Sequence, residues 1–293
     1  MESLKDIRSR IVSVQSTRQI TSAMKMVSAS KLRKAQKAII QLRPYSSKLY
    51  GILQHLSSLI ENNEENAFLR KSENSTILII CISSNKGLCG AFNTNIFRKA
   101  EEIVKTKYAD EFVNDKIHFS VVGKKVFDQI SSSGWKIIDN NNQLFDNLDY
   151  KNVSELAQKY MDLFLEGTYD RIEIIYNRFK NAAVQEICYD QYLPINIDDT
   201  IKNDGLSSDF ILEPDIDHLN THIIPLSLKI QLYSALLDSV AAEHGARMTA
   251  MHIATDNATN IISDLRLQYN KARQASITNE ILEIVGGAEA LRS

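Results

Sequence analysis

The stretch TILIICISSNKGLCGAFN, residues 76–93, begins with seven apolar or β-branched residues and runs into a glycine-rich turn. Seven such residues with no polar alternation read as a buried strand. Gly87 and Gly90 then mark a tight turn into a segment with helical spacing. Strand, glycine turn and helix open many nucleotide-binding domains, so the turn poses a direct question about phosphate. A Walker loop requires G-x-x-x-x-G-K-[ST], and NKGLCGAFN lacks that ending. A dinucleotide fingerprint requires G-x-G-x-x-G; here two glycines stand three apart and no third follows. Two glycines need no ligand to explain them, because either can supply positive φ in a strand-to-helix turn. Lys86 reads equally as a solvated lysine, and Cys89 as a small packed residue or a reactive thiol.

Outward from that unit, strands and helices alternate. NIFRKAEEIVKTKYADEF (95–112) predicts a helix, KIHFSVVG (116–123) a strand and KKVFDQISSS (124–133) a short helix. KIID (136–139) is a weak strand, and NVSELAQKYMDLFLEG (152–167) a helix with Asn152 or Ser154 as its N-cap. RIEIIYNRF (171–179) and AVQEICYDQYLP (183–194) form a hairpin across KNA. The alternation implies a Rossmann-like α/β domain over 76–215, with a mostly parallel sheet and an antiparallel edge. NIDDTIKNDGLSSD (196–209) is a polar loop, and ENNEENAFLRKSENS (61–75) a polar connector.

The two chain ends read differently. Between Ser3 and Arg43 there is neither glycine nor proline. Leu4, Ile7, Ile11, Val14, Thr21, Ser28, Leu32, Ala35, Ile39 and Leu42 recur in steps of three and four, with Arg18 and Lys25 on the same stripe. Pro44 predicts a bend or break before helical spacing resumes in residues 46–60. After Pro225 no proline occurs, and only Gly245 interrupts before Gly286. Ile230, Leu237, Ala241, His244, Met248, Met251, Thr255, Ala258, Ile262, Leu265, Tyr269 and Ala272 repeat the pattern. A helix over residues 226–285 would be about 90 Å long. Two such helices, in segments 1–60 and 216–293, pair most simply as an antiparallel coiled coil. Arg18, Lys25 and Thr255 lower the stability of a seam that had only to hold itself together. They fit register control, or helices that also face other proteins.

The remaining chemistry is sparse. Net charge is −2, yet residues 1–48 carry an excess of about nine positive charges, which implies an acidic partner. Three cysteines without metal-like spacing point to a reducing compartment and no disulfide. No apolar run approaches the ~20 residues of a membrane span, and the start lacks a signal peptide's apolar core. His218 and His222 have i, i+4 spacing, but DHLNTH lacks the Glu of a zincin motif. Asp198 and Asp199 read as solvated. Catalytic, cofactor-binding and metal-binding residues are therefore all expected to be absent.

Three blocks then match one family. KDIRSRIVSVQSTRQITSAMKMVSASKLRKAQ (5–36) and SVAAEHGARMTAM with its continuation to Leu291 resemble the γ subunit of F-type ATP synthases. ITNEILEIVGGAEA (277–290) carries that family's I-T-x-E-x-x-[DE]-x-x-x-G-A signature in full. ISSNKGLCGAFN (82–93) is similar to its R/K-G-L-C-G segment, and DFILEPD (209–215) to its E-P-D stretch. The resemblance spans essentially the whole chain and is loosest at 61–75 and 140–210.

The resemblance implies a rotary shaft with no catalytic site of its own. Its coiled coil would stand inside a ring of α and β subunits, its α/β foot on the proton-driven membrane c-ring. Arg247, Gln274 and Thr278 match residues that hydrogen-bond a loop of β. Met24 and Lys25 match a contact with the acidic lever of β, and Lys86, Cys89 and the glycine turn lie against the same lever. The turn is then a protein contact. Ile281, Leu282, Ile284 and Val285 would sit in the bearing at the top of the ring, and 196–209 with LRPY (42–45) would face the ring and the ε subunit. The chain would be peripheral, on the cytoplasmic side of a bacterial inner membrane. No presequence is expected, since helical spacing begins at once, and the redox insertion of the chloroplast form is absent; both favour a bacterial protein, with a trimmed mitochondrial one as the alternative. Two other readings compete. A nucleotide-dependent Rossmann enzyme with helical arms would bind ATP or NAD by itself. A coiled-coil nucleic-acid binder would show a steep salt slope, and no aromatic platform supports it.

Overall fold

The computed structural model describes residues 3–55, 67–70, 76–195 and 219–290. The polar loop 196–209 with Asp198 and Asp199, the DFILEPD stretch, His218 and most of the 61–75 connector lie outside those residues. The chain divides into two compact units, Met1–Ser28 with Arg247–Ser293, and Ala29–Ala246. Helix α1 (Leu4–His55) and the last helix, α6 (Ile224–Ala290), contribute to both.

The second unit is built on a five-stranded sheet: β1 (Ile77–Ile82), β2 (Ile117–Val122), β3 (Ile137–Asn140), β4 (Arg171–Phe179) and β5 (Gln185–Leu193). The strand order is β3-β2-β1-β4-β5, parallel throughout except for the β4–β5 hairpin. β1 is central and buried along its whole length. Ile77, Ile79 and Cys81 face one core and Leu78, Ile80 and Ile82 the other. This explains the unbroken apolar run, since a strand covered on both faces needs no polar alternation. Helices α2 (Phe92–Thr106) and α4 (Lys124–Ser132) cover the first face, through Ile96, Ala100, Val126 and Ile130. Helix α5 (Tyr150–Leu165) and the first turns of α6 cover the second, through Ala157, Phe164, Leu228 and Leu236. Burial drives the Cys81 thiol up to about 12, leaving it an inert core group.

In the first unit the expected stripes are the buried ones. Ile7, Thr21 and Ser28 of α1 and Met251, Ala258, Ile262 and Leu265 of α6 are buried, and the two helices pair as an antiparallel coiled coil. The Thr255 hydroxyl lies 2.9 Å from Thr21 Oγ and 2.7 Å from the Met251 carbonyl, and the Thr21 hydroxyl donates to the Arg18 carbonyl at 3.0 Å. Two polar seam positions thus satisfy each other, at one axial register.

Several boundaries differ from the sequence expectation. Pro44 does not break α1. The carbonyl that it leaves without an amide belongs to Ile40, on the exposed face and so open to solvent. The helix expected over 95–112 starts at Phe92 and stops at Thr106, and a short helix, α3 (Ala109–Val113), follows. The side chain of Tyr108 turns inward to Glu173 at 2.6 Å, and that tertiary bond outweighs helical propensity. The cap of α5 is Asp149, not Asn152 or Ser154; its carboxylate accepts from the Asn152 amide at 2.8 Å. α6 runs through Gly245 and Gly286 without interruption. It also holds an 18-residue window of mean hydropathy 1.2, so by length and composition it could cross a membrane, contrary to expectation. Buried residues make up 44% of that window.

Asp238 of α6 is largely buried, with one carboxylate oxygen lacking a hydrogen-bond partner. Burial raises its pKa, opposed by the charges of Arg43 on α1 and Arg178 on β4. The sign follows directly. A carboxyl whose folded pKa lies above its unfolded value favours folding when protonated, so its charged form costs stability at neutral pH. Asp238→Asn is expected to raise the melting temperature slightly at pH 7, and the gain should fade as pH falls toward the unfolded value of 3.8. Thermal melts of both forms from pH 4 to pH 8 check this.

Candidate functional site

The glycine turn sits at the carboxyl end of β1, beside the point where the strand order reverses between β1 and β4. In open α/β sheets ligands settle there, with phosphates on helix N-termini. Here the chain itself occupies those groups. The four leading amides of α4 are all taken: Lys124 by Asn85 Oδ1 at 3.0 Å, Lys125 by the Ser84 carbonyl at 3.1 Å, Val126 by Ser83 Oγ at 3.2 Å and Phe127 by the Gly123 carbonyl at 3.3 Å. The Gly123 amide donates to Asn142 Oδ1 at 2.9 Å. The first turn of α2 packs inward, with Asn93 buried and Phe92 against Ala242 and Ala246 of α6. A cleft of about 630 Å³ does open in this unit, but between α1, the β4–β5 hairpin and the start of α6. It is lined by Tyr176, Arg178, Asp190 and Gln191, and none of residues 83–93 reaches it.

Inside the turn, Asn93 organises the chain. Its Oδ1 accepts from the Ser84 amide at 3.0 Å, and its Nδ2 donates to Cys89 Sγ at 3.2 Å. Cys89 is buried and directed into the fold, while Lys86 is exposed. Leu88 stands 64% exposed with φ of +62°, left-handed backbone that a leucine adopts only under constraint. The turn is therefore a braced loop that offers a lysine and a leucine to the outside. Leu88 is the residue that sequence reasoning passed over; the only available signal was an apolar side chain between two glycines.

The other expected residues lie on the helices. Met24 and Lys25 are half-buried on α1. Arg247 is only 7% exposed and has partners within the chain. Gln274 and Thr278 are exposed and one turn apart, the Thr278 hydroxyl donating to the Gln274 carbonyl at 2.9 Å. Ile281, Leu282, Ile284 and Val285 are 55–71% exposed. At 100° per residue these four fall within an arc of about 160°, so the end of α6 presents a solvent-facing apolar face. Among the described residues no three His, Cys, Asp or Glu side chains are grouped so as to hold a metal ion.

The sequence profile of the ATP synthase family matches residues 3–291. The ATP synthase gamma chain of Christiangramia forsetii is 53% identical over 291 residues, 99% of each chain. The chain belongs to the ATP synthase gamma-chain family. The gamma chain of Flavobacterium psychrophilum is 51% identical over the full length of both proteins. Two cryo-EM structures share the fold of this gamma chain. One is from the Euglena gracilis mitochondrial ATP synthase, with a TM-score of 0.70 at 21% identity over 98% of this chain and 94% of that one. The other is from the Tetrahymena thermophila mitochondrial ATP synthase central stalk and c-ring, with a TM-score of 0.57 at 24% identity over 80% and 99%. The gamma subunit is the central stalk of a membrane-bound complex.

Proposed function

We propose that this chain turns inside a catalytic head of α and β subunits, driven from below by the membrane c-ring, with an ε subunit on its foot. Rotation presents different sides of the coil to each β subunit and so opens and closes the nucleotide sites that β carries. The chain supplies no catalytic group and takes no cofactor, nucleic acid or small substrate. The complex sits on the cytoplasmic side of a bacterial inner membrane, in keeping with its bacterial relatives. The observation that carries this reading is the exposed apolar arc Ile281, Leu282, Ile284 and Val285, set in the family signature. A free helix end with that composition needs a covering surface, and a bearing is such a surface. Gln274 and Thr278, one turn apart, offer hydrogen-bonding groups to a loop of β. Met24, Lys25, Lys86 and the turn at Cys89 meet the acidic lever of β, where the basic excess of the first 48 residues supplies charge complementarity.

The test is ATP hydrolysis by the matching α and β subunits with and without this chain, and by the chain alone. The expected result is no turnover by the chain alone and a large gain when it is added. Arg247→Ala combined with Gln274→Ala should change that gain. Hydrolysis by the chain alone would sink the reading and return attention to the glycine turn as a nucleotide site.

A further inference from the structure

Two elements of the α/β unit converge on one short piece of α6. From one side come Cys89 and Phe92, at the glycine turn and the start of α2, packed against Ala242 and Ala246. From the other comes the tip of the β4–β5 hairpin. A Cβ on Gly245 would stand 3.1 Å from Phe179 Cε2 and 3.4 Å from Ala182 Cα. Phe179 also packs against the Cys89–Phe92–Ala242–Ala246 cluster, and Asn177 Nδ2 ties the hairpin back to the Phe92 carbonyl at 3.3 Å. At 100° per residue, Gly245 is turned by about 60° from Ala242 and about 100° from Ala246. The three positions span about 100° of the helix circumference, so the glycine turn and the hairpin tip grip adjoining strips of one face of α6 at one level. A broad grip by two elements bonded to each other resists rolling of the helix about its axis better than a single line of contact.

We infer that this two-element grip on Ala242–Ala246 is the joint through which the α/β foot transmits torque to α6, with Gly245 and Phe179 as its positioning residues. The inference rests on the rotor reading above. Gly245 is required because the hairpin tip must come within contact distance of the helix backbone. A side chain there acts as a wedge that lifts Phe179 and leaves this stretch of the helix gripped by the glycine turn alone. Torque from the foot then reaches the helix mainly through the core packing of Leu228, Leu232 and Leu236, and coupling weakens while the head continues to turn over.

The experiment uses the complete complex in proteoliposomes, reading ATP hydrolysis together with the ATP-driven membrane potential from a voltage-sensitive dye. Gly245→Val should lower the rate of potential formation about tenfold while hydrolysis stays within about twofold of the parent. Adding Phe179→Leu, which withdraws the ring edge, should recover much of the loss. Gly245→Ala, adding the Cβ alone, should fall between parent and Val. Parent-like coupling in Gly245→Val overturns the inference, as does a double variant no better than the single one. A parallel loss of hydrolysis and potential also overturns it, because that is what a merely structural residue would give. A parent chain that fails to stimulate the head at all would instead overturn the rotor reading itself.

Discussion

Gly123→Ala is expected to cost more than about 4 kcal/mol and to leave little folded protein. Gly123 follows β2 with φ of +115° and ψ of 128°, a conformation that costs an L-residue about 1–3 kcal/mol. Its surroundings are worse than its dihedrals. A Cβ would lie 2.4 Å from Ser83 Oγ and 2.6 Å from both the carbonyl carbon and the oxygen of Ser83. Ser83 cannot retreat. Its amide donates to the Val122 carbonyl at 2.7 Å and its hydroxyl to the Gly123 carbonyl at 3.1 Å, so the two backbones are tied where they would clash. The companion variant Ser83→Ala removes the 2.4 Å contact alone and loses two buried hydrogen bonds, to the Gly123 carbonyl and from the Val126 amide, for about 1–3 kcal/mol. Combining it with Gly123→Ala should give no rescue, because the backbone contacts remain. Soluble yield and chemical denaturation of the three variants check this; a Gly123→Ala chain melting near the parent would remove the close approach as its reason.

Gly123 was visible in the sequence only as the last letter of a strand, and that pattern holds elsewhere. The stripes from Ile7 to Leu42 and from Ile230 to Ala272 were legible because helical periodicity is a property of one segment. Every one of those positions is buried or half-buried. The parallel sheet was legible for the same reason, as a run of apolar segments with helical spacing between them. What a single segment does not hold could not be read. The end of α2 is set by a carboxylate more than sixty residues away. Pro44 is tolerated because of which face its orphaned carbonyl occupies. Gly245, which looked like an interruption of a heptad, is a place where a hairpin must come close. The family resemblance implies a contact surface at Lys86, Cys89 and the glycine turn; there the fold exposes Lys86 and Leu88 and buries the thiol, a detail of side-chain direction that the segment alone does not hold.

Removing the two cations beside Glu173 should destabilise the α/β unit far more than removing the acid. Glu173 lies on β4 and is 1% exposed, whereas the side chains of Lys107 and Arg171 are 42% and 37% exposed. Its oxygens accept from Tyr108 at 2.6 Å, from Lys107 at 2.9 Å and from Tyr189, while Arg171 donates to the Tyr108 hydroxyl at 3.0 Å. The asymmetry decides the outcome. Cations left without the acid can turn to water, but the acid left without cations stays buried. Lys107→Met with Arg171→Met is thus expected to cost about 3–5 kcal/mol, and Glu173→Gln under about 2 kcal/mol. The pH dependence follows from the same cluster. Burial would lower the Lys107 pKa, but hydrogen bonds to Tyr108 and Glu173 and the charge of Glu173 more than offset it, so Lys107 holds its proton more tightly when folded. Burial, then hydrogen bonding to Glu173, raises the pKa of Tyr189 as well. Both groups contribute fully below their unfolded values of 10.5 and 10.0, and the contribution disappears as pH rises through the folded ones. The parent should therefore lose stability on the alkaline side more steeply than the double-methionine variant, and the two melting curves should converge there. A double variant as stable as the parent at pH 7 would mean that water already serves Glu173.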